Sequence, residues 1–276
     1  MHLLRVVAPR VLTIAVPLAL FATPGVRAQG AAAAPSAAAP SVATPALTGA
    51  LRWADSARRI IDRAVVRGDT AQLLQGAALV DRALTAFPEH GLLLHYRGYA
   101  AYRLGQLAMS RKQEDAAEAR YEEALAWLDR AVAAQPLAES HALRSSCMGQ
   151  LIAGNALRGM RYGAAASRAD DQALALGKNN PRVLLLQAVS AWYKPAMFGG
   201  GQDKARQLLA RALAAFERDT PGPGLPSWGQ AEALAWHGQW ELAAGRAAAA
   251  RAAYQQALTL EPEYAWVRYA LLPAVR

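Results

Sequence analysis

Four histidines beyond residue 28 are the natural place to look for chemistry: His90, His95, His141 and His237. None falls in the His-Glu-x-x-His spacing that puts two imidazoles on one helix face around zinc. The single cysteine, Cys147, can complete neither a thiolate metal site nor an intramolecular disulfide. It sits near Leu143 and Leu151 in a helical stretch, the setting of a small buried hydrophobe. No Gly-x-Ser-x-Gly elbow occurs. His237 and Glu241 lie one helical turn apart, which suits a surface hydrogen bond better than an acid–base pair. The expectation is therefore no catalytic residue, no metal and no cofactor. The sharpest local motif is Phe198-Gly199-Gly200-Gly201. Its glycines could form a nest of backbone amides around an anion, or an inter-helix turn at positive φ with Phe198 plugging a hydrophobic seam. No strand precedes it and no Lys-Ser or Lys-Thr follows, so the turn is the expected reading.

These residues must be positioned by helices. From Leu51 onward Ala, Leu, Arg and Gln dominate, all strong helix formers, and no period-2 segment bounded by turn residues appears. Breaks at Gly68-Asp69, Pro88, Gly105 or shortly after it, Pro136, the Gly154 to Gly163 region, Asn179-Asn180-Pro181, Gly199 to Gly201, Pro221 to Pro226, Gly245 and Pro262 divide the chain. They predict five antiparallel helix hairpins, at about 51–67 with 70–87, 90–112 with 114–135, 138–156 with 162–178, 181–197 with 202–219, and 227–243 with 246–260. A last helix near 263–272 would cover the open end. The fold class is all-α, an α-solenoid.

Within the last hairpin the series Leu234, Gly238, Gly245, Ala250, Tyr254, Ala257, Pro262 carries a repeat signature. Small residues let two helices approach, an aromatic fills the groove between them, and proline ends the second helix. Leu94, Gly98, Gly105, then Ala124, Leu128, Ala131 and Pro136 repeat it with an insertion, and Ala205, Leu209 and Ala212 repeat its second half. This pattern resembles the tetratricopeptide repeat family over roughly residues 51–275. Two segments, Pro195 to Gly201 followed by Lys204-Ala205, and Trp228 to Gly238 with Pro262 to Val267, look like a narrower group of exported bacterial repeat proteins. The glycine loop is also similar to one in the tetratricopeptide subunit that accompanies some tripartite ATP-independent periplasmic transporters.

The resemblance implies a right-handed superhelix whose concave groove, lined by the first helix of each hairpin, holds ligands. Its register points to His95, Tyr99, Tyr102 and Arg103 in the second unit, Tyr193 and Lys194 in the fourth, and Glu232 and Gln239 in the fifth. Tyrosine and arginine together suit a peptide segment, through amphipathic area and a carboxylate clamp. The implied function is a non-catalytic scaffold that binds a protein segment. A periplasmic small-molecule or transporter-associated binding protein is the alternative. Trp228, Trp236, Trp240 and Trp266 crowd the C-terminal unit, as a sealed end of the array would require.

The first 28 residues read as a secretory signal: Arg5 and Arg10, an apolar run from Val11 to Ala22, and Val26-Arg27-Ala28 before a cleavage point at Gln29. That predicts an exported protein, periplasmic or envelope-associated, without a stable membrane span after cleavage. Residues 29–50 are uncharged and rich in Ala and Pro, and predict a disordered tether. Net charge is +9, of which three positives belong to the signal, leaving +6. No run of Lys and Arg marks a phosphate-binding stripe, so nucleic acid is not an expected partner. An anionic ligand or envelope surface fits the charge.

Overall fold

The computed structural model of the protein describes residues 45–153 and 155–275. The signal-peptide reading of 1–28, and the tether reading as far as residue 44, lie outside them. Among the described residues ten helices pair in sequence order into five hairpins: α1 (Pro45–Arg67) with α2 (Thr70–Ala86), α3 (Gly91–Ser110) with α4 (Glu114–Ala134), α5 (Ala138–Ile152) with α6 (Ala156–Leu176), α7 (Pro181–Tyr193) with α8 (Gln202–Phe216), and α9 (Gln230–Ala243) with α10 (Ala247–Leu260). A wide π-type segment, Trp266–Leu271, runs into one α-helical turn, α11 (Leu272–Ala274), and together they form the C-terminal cap. The described residues are thus an all-helical solenoid.

Close approach explains the hairpins. A methyl group at Gly98 would lie 2.7 Å from Leu128 of α4, and one at Gly105 would lie 2.6 Å from Tyr121. At Gly238 it would overlap Tyr254 of α10. In each case a bare backbone lets the partner's large side chain lie against the helix axis, and all three partners are buried. Turns inside the hairpins use the left-handed region: Gly68 and Gly245 at φ 64° and 77°, and Lys112 at φ 58°. Helix starts are capped by Asp69, Asn155 and Asn180, whose side chains accept from Gln72, Arg158, and Arg182 with Val183.

Three expectations need correction. The tether was expected to reach residue 50, but α1 begins at Pro45; proline at the first helical position costs no hydrogen bond. The α6 helix starts at Ala156 rather than 162 and runs through Gly159 and Gly163. With Asn155 as cap, the helix tolerates two glycines that read as breakers. The Pro221 to Pro226 cluster was expected to be a short break. It is the middle of a long strap, 217–229, between α8 and α9.

Two glycine substitutions separate close approach from mere helix propensity. We predict that Gly238→Ala lowers stability by about 1–3 kcal/mol, because the methyl group must displace Tyr254. Gly163→Ala has open space around it and should raise stability by about 0.5–1 kcal/mol. Thermal or urea unfolding of the two variants checks both signs.

Candidate functional site

The inner face of the solenoid is built by the first helices of the hairpins, and the strap lies across it. The Tyr96 hydroxyl on α3 donates to the Gly224 carbonyl at 2.7 Å. A methyl group at Gly224 would lie in van der Waals contact with Leu51 on α1 and Leu92 on α3. Arg58 of α1 donates to the Ser227 hydroxyl at 2.5 Å. Trp228 stacks on Tyr99, with ring centroids 5.0 Å apart and planes 13° apart. At the strap's start Asp219 pairs with Arg182 of α7. A segment rich in proline and glycine suits this position: proline lacks an N–H to satisfy, and Gly224 bends the chain at φ 74°, in the left-handed region that favours glycine.

Beyond the strap, α9 closes the same face. Glu232 takes two hydrogen bonds from Arg103 of α3, at 3.0 and 2.5 Å. The guanidinium carbon lies 5.1 Å from the Tyr99 ring centre, 5.7 Å from Tyr102 and 5.2 Å from Trp228, and Gln106 accepts a further bond. Burial works against this charge, but Glu232, Tyr99 and Tyr102 outweigh it and hold the Arg103 pKa well above its usual value. His95 is fully buried, bonded through Nδ1 to Ser140 of α5 at 2.9 Å. Burial, with Arg182 adding to it, pushes its pKa down to about 3, so the ring is neutral. Burial raises Asp62 of α1 to about 6, against the pull of Arg58, Arg103, Arg182 and the Ser227 hydroxyl. Arg67 at the end of α1 pairs with Glu263 before the cap, so the first hairpin touches both the strap and the C-terminal unit.

The expected groove residues therefore divide. His95, Tyr99, Tyr102 and Arg103 do come together on α3, but they are buried. They are not open to a ligand because the protein's own Trp228 and Glu232 occupy that part of the groove. Tyr193 is exposed, and Gln239 and Lys194 are half-buried, with Lys194 3.8 Å from Asp170. Tyr193 meets Trp236 edge-on at 6.3 Å, and Trp236 meets Trp266 at 5.3 Å. Glu232, Trp236 and Gln239 recur at helical spacing on α9, so this aromatic strip extends the inner face past the strap. Trp228, expected at the sealed end, instead belongs to the strap, whereas Trp240 stacks on Trp192 at 4.4 Å.

The glycine loop is a turn. The amides of Phe198, Gly199, Gly200 and Gly201 donate to the carbonyls of Pro195, Ala196, Pro195 and Ala191, which leaves no free nest for an anion. Gly199 and Gly201 hold φ of 79° and 113°, and a side chain at Gly200 would collide with the Lys194 carbonyl. Phe198 differs from expectation. It is exposed rather than plugging a seam, because the turn carries it out past the end of α7. A cleft of about 500 Å³ lies elsewhere, lined by Asn179, Pro181, Arg211, Arg218 and Thr220 among others. Among the described residues no three His, Cys, Asp or Glu side chains gather as a metal site.

The fold has a solved counterpart. The crystal structure of a thermophilic tetratricopeptide-repeat protein from Thermus thermophilus superimposes with a TM-score of 0.55 at 20% identity, covering 82% of this chain and 97% of that one. The architecture is thus tetratricopeptide-like. No family model matches the chain, and no curated protein sequence does.

Two sets of variants test this inner face. Glu232→Gln leaves a buried guanidinium without its counter-charge and should cost about 3–5 kcal/mol, whereas Arg103→Met combined with Glu232→Leu should cost clearly less. The pH dependence has two opposing parts. Neutral His95 loses stability for the fold as pH falls from about 6.5. Asp62, with its pKa raised to about 6, gains stability for the fold as pH falls from 6 towards its unfolded value. Asp62→Asn removes the second effect, so its melting temperature should fall more steeply than the parent's between pH 7 and 4.

Proposed function

We propose that the protein is a non-catalytic, exported scaffold that binds an extended segment of another protein along the open part of its inner face. The observation that carries this reading is the aromatic strip Tyr193–Trp236–Trp266 with Gln239 at its edge. It continues a solenoid face whose other part already holds an extended segment, the strap. Large, rigid rings with polar tips bind such segments with little loss of side-chain freedom. Tyr193 is left exposed although an aromatic neighbour lies beside it. Export rests on the first 28 residues, with their basic start, apolar run and small residues before Gln29.

A photo-crosslinking residue at Tyr193 or Gln239, introduced in the producing cell, should give a discrete protein adduct. The same residue at Gln255 on α10 should not. Mass spectrometry of the adduct would also read the N-terminus, expected at Gln29. Equal labelling from all three positions, or none from the strip, would overturn the binding face. An N-terminus at Met1 in the purified protein would overturn processing at that site.

A further inference from the structure

Large apolar side chains are unevenly exposed on this molecule. Leu157, Met160, Tyr193, Met197 and Phe198 are each more than two-thirds exposed, and Met197 reaches 78%. Among the described residues only Tyr269, on the cap, is comparably bare. The five fall on two neighbouring places, the start of α6 and the turn between α7 and α8. These places share one rim of the solenoid. The α7 helix runs back along α6, tied to it by Gln187 donating to the Asp170 carbonyl and by Lys194 beside the Asp170 carboxylate. The end of α7 and the start of α6 therefore point the same way.

Along the sequence cations outnumber acids right beside these side chains, with Asp170 and Asp171 following and Glu118 and Glu122 of α4 facing Arg158. Residues 157–168 hold Arg158, Arg161 and Arg168 with no acid, and residues 193–204 hold Lys194 and Lys204 against Asp203 alone. Arg158 answers Glu118 of α4, and Lys194 lies beside Asp170. Arg161 lies over the Tyr162 ring, and Lys204 donates to the Gly199 carbonyl, so both keep their charge at the surface. Met197 and Phe198 ride on a 3-10 turn, Ala196–Phe198, held by three internal backbone bonds and a fourth from Gly201 to Ala191 of α7. The turn thus presents them as a firm outward knob rather than a floppy loop.

From this placement we infer that the rim formed by the α6 start and the α7–α8 turn docks on an anionic lipid surface. Leu157, Met160, Met197 and Phe198 lie off the inner-face strip, and among the described residues they offer neither a trough for a partner helix nor a free sheet edge for a strand. A bilayer interface requires neither. It accepts Phe, Tyr, Leu and Met among the acyl chains' upper segments, while Lys and Arg nearby meet anionic headgroups. Among the described residues no helix is long and apolar enough to cross a membrane, so this contact is interfacial. It shares Tyr193 with the inner-face strip, but Leu157, Met160, Met197 and Phe198 lie off that strip, and the inference stands without segment binding.

The test uses the full chain and vesicles of phosphatidylglycerol mixed with phosphatidylcholine. Met197→Cys, labelled with a polarity-sensitive dye, should blue-shift when these vesicles are added and not with pure phosphatidylcholine. Cys147 is buried and will not compete for the label. A dye at Gln255→Cys should stay unshifted, which separates docking of this rim from any attachment through the N-terminal residues. In co-sedimentation at low salt, Met197→Asp with Phe198→Asp should reduce partitioning by about tenfold, and Tyr269→Asp should not. Circular dichroism checks that each variant is folded. No shift at position 197, an equal shift at 255, or an equal shift with neutral vesicles overturns the inference. A shift that a partner protein produces and vesicles do not would assign the rim to protein instead, and overturns it equally.

Discussion

A guanidinium removed from water must find an opposite charge, and in this protein it finds one across the whole array. Arg103 sits on the second hairpin, and its counter-charge, Glu232, sits on the fifth. Tyr99, Tyr102 and Trp228 surround the cation with ring faces and keep water out. A solenoid is ordinarily held by neighbour-to-neighbour contacts alone. Here one long-range charge pair and one strap tie distant repeats together, and the first hairpin joins them through Arg58–Ser227 and Arg67–Glu263. The inner face is therefore partly interior, and its buried polar groups answer to the rules of a core. That is why His95 stays neutral and why Asp62 holds its proton to higher pH than usual.

The strap also divides the surface into covered and open parts. It takes up the residues of α3 that would otherwise form the best peptide groove, and leaves Tyr193 of the aromatic strip exposed, with Trp236 and Trp266 half-buried behind it. The glycine loop lies on the rim rather than in the groove. Its backbone is fully engaged with itself, and what it offers outward is side chains, Met197 and Phe198. Segment binding and surface docking would thus meet only at Tyr193.

Much of this fold was legible in the sequence because its cause is local. Gly238 and Tyr254 are sixteen residues apart, within one hairpin, and the repeat spacing implies the contact that the structure shows, whereas the Gly105–Tyr121 contact, in the hairpin with the insertion, was not read from it. The helix bounds followed from Pro88, Pro136, Asn180 and Pro262 for the same reason. The strap was not legible, because whether a Pro- and Gly-rich segment folds outward or inward depends on α1, α3 and α7, which are remote in sequence. One signal was present: thirteen residues is long for a connection between packed helices, and long connections tend to have work of their own. A tryptophan and a serine at the end of such a segment pointed the same way. Arg103 and Glu232 were both assigned to the groove, but no local pattern showed that they would meet each other rather than a ligand.

If the strap holds the inner helices together, loosening it must be felt far from it in sequence. Hydrogen–deuterium exchange of the parent protein and a Trp228→Ala variant tests this most directly. Exchange should quicken across residues 51–66 of α1 and 91–105 of α3, remote from the substitution in sequence, with α5 and α6 little changed. Faster exchange confined to residues 217–229 would show that the strap merely covers a face that stands without it, and would contradict that role.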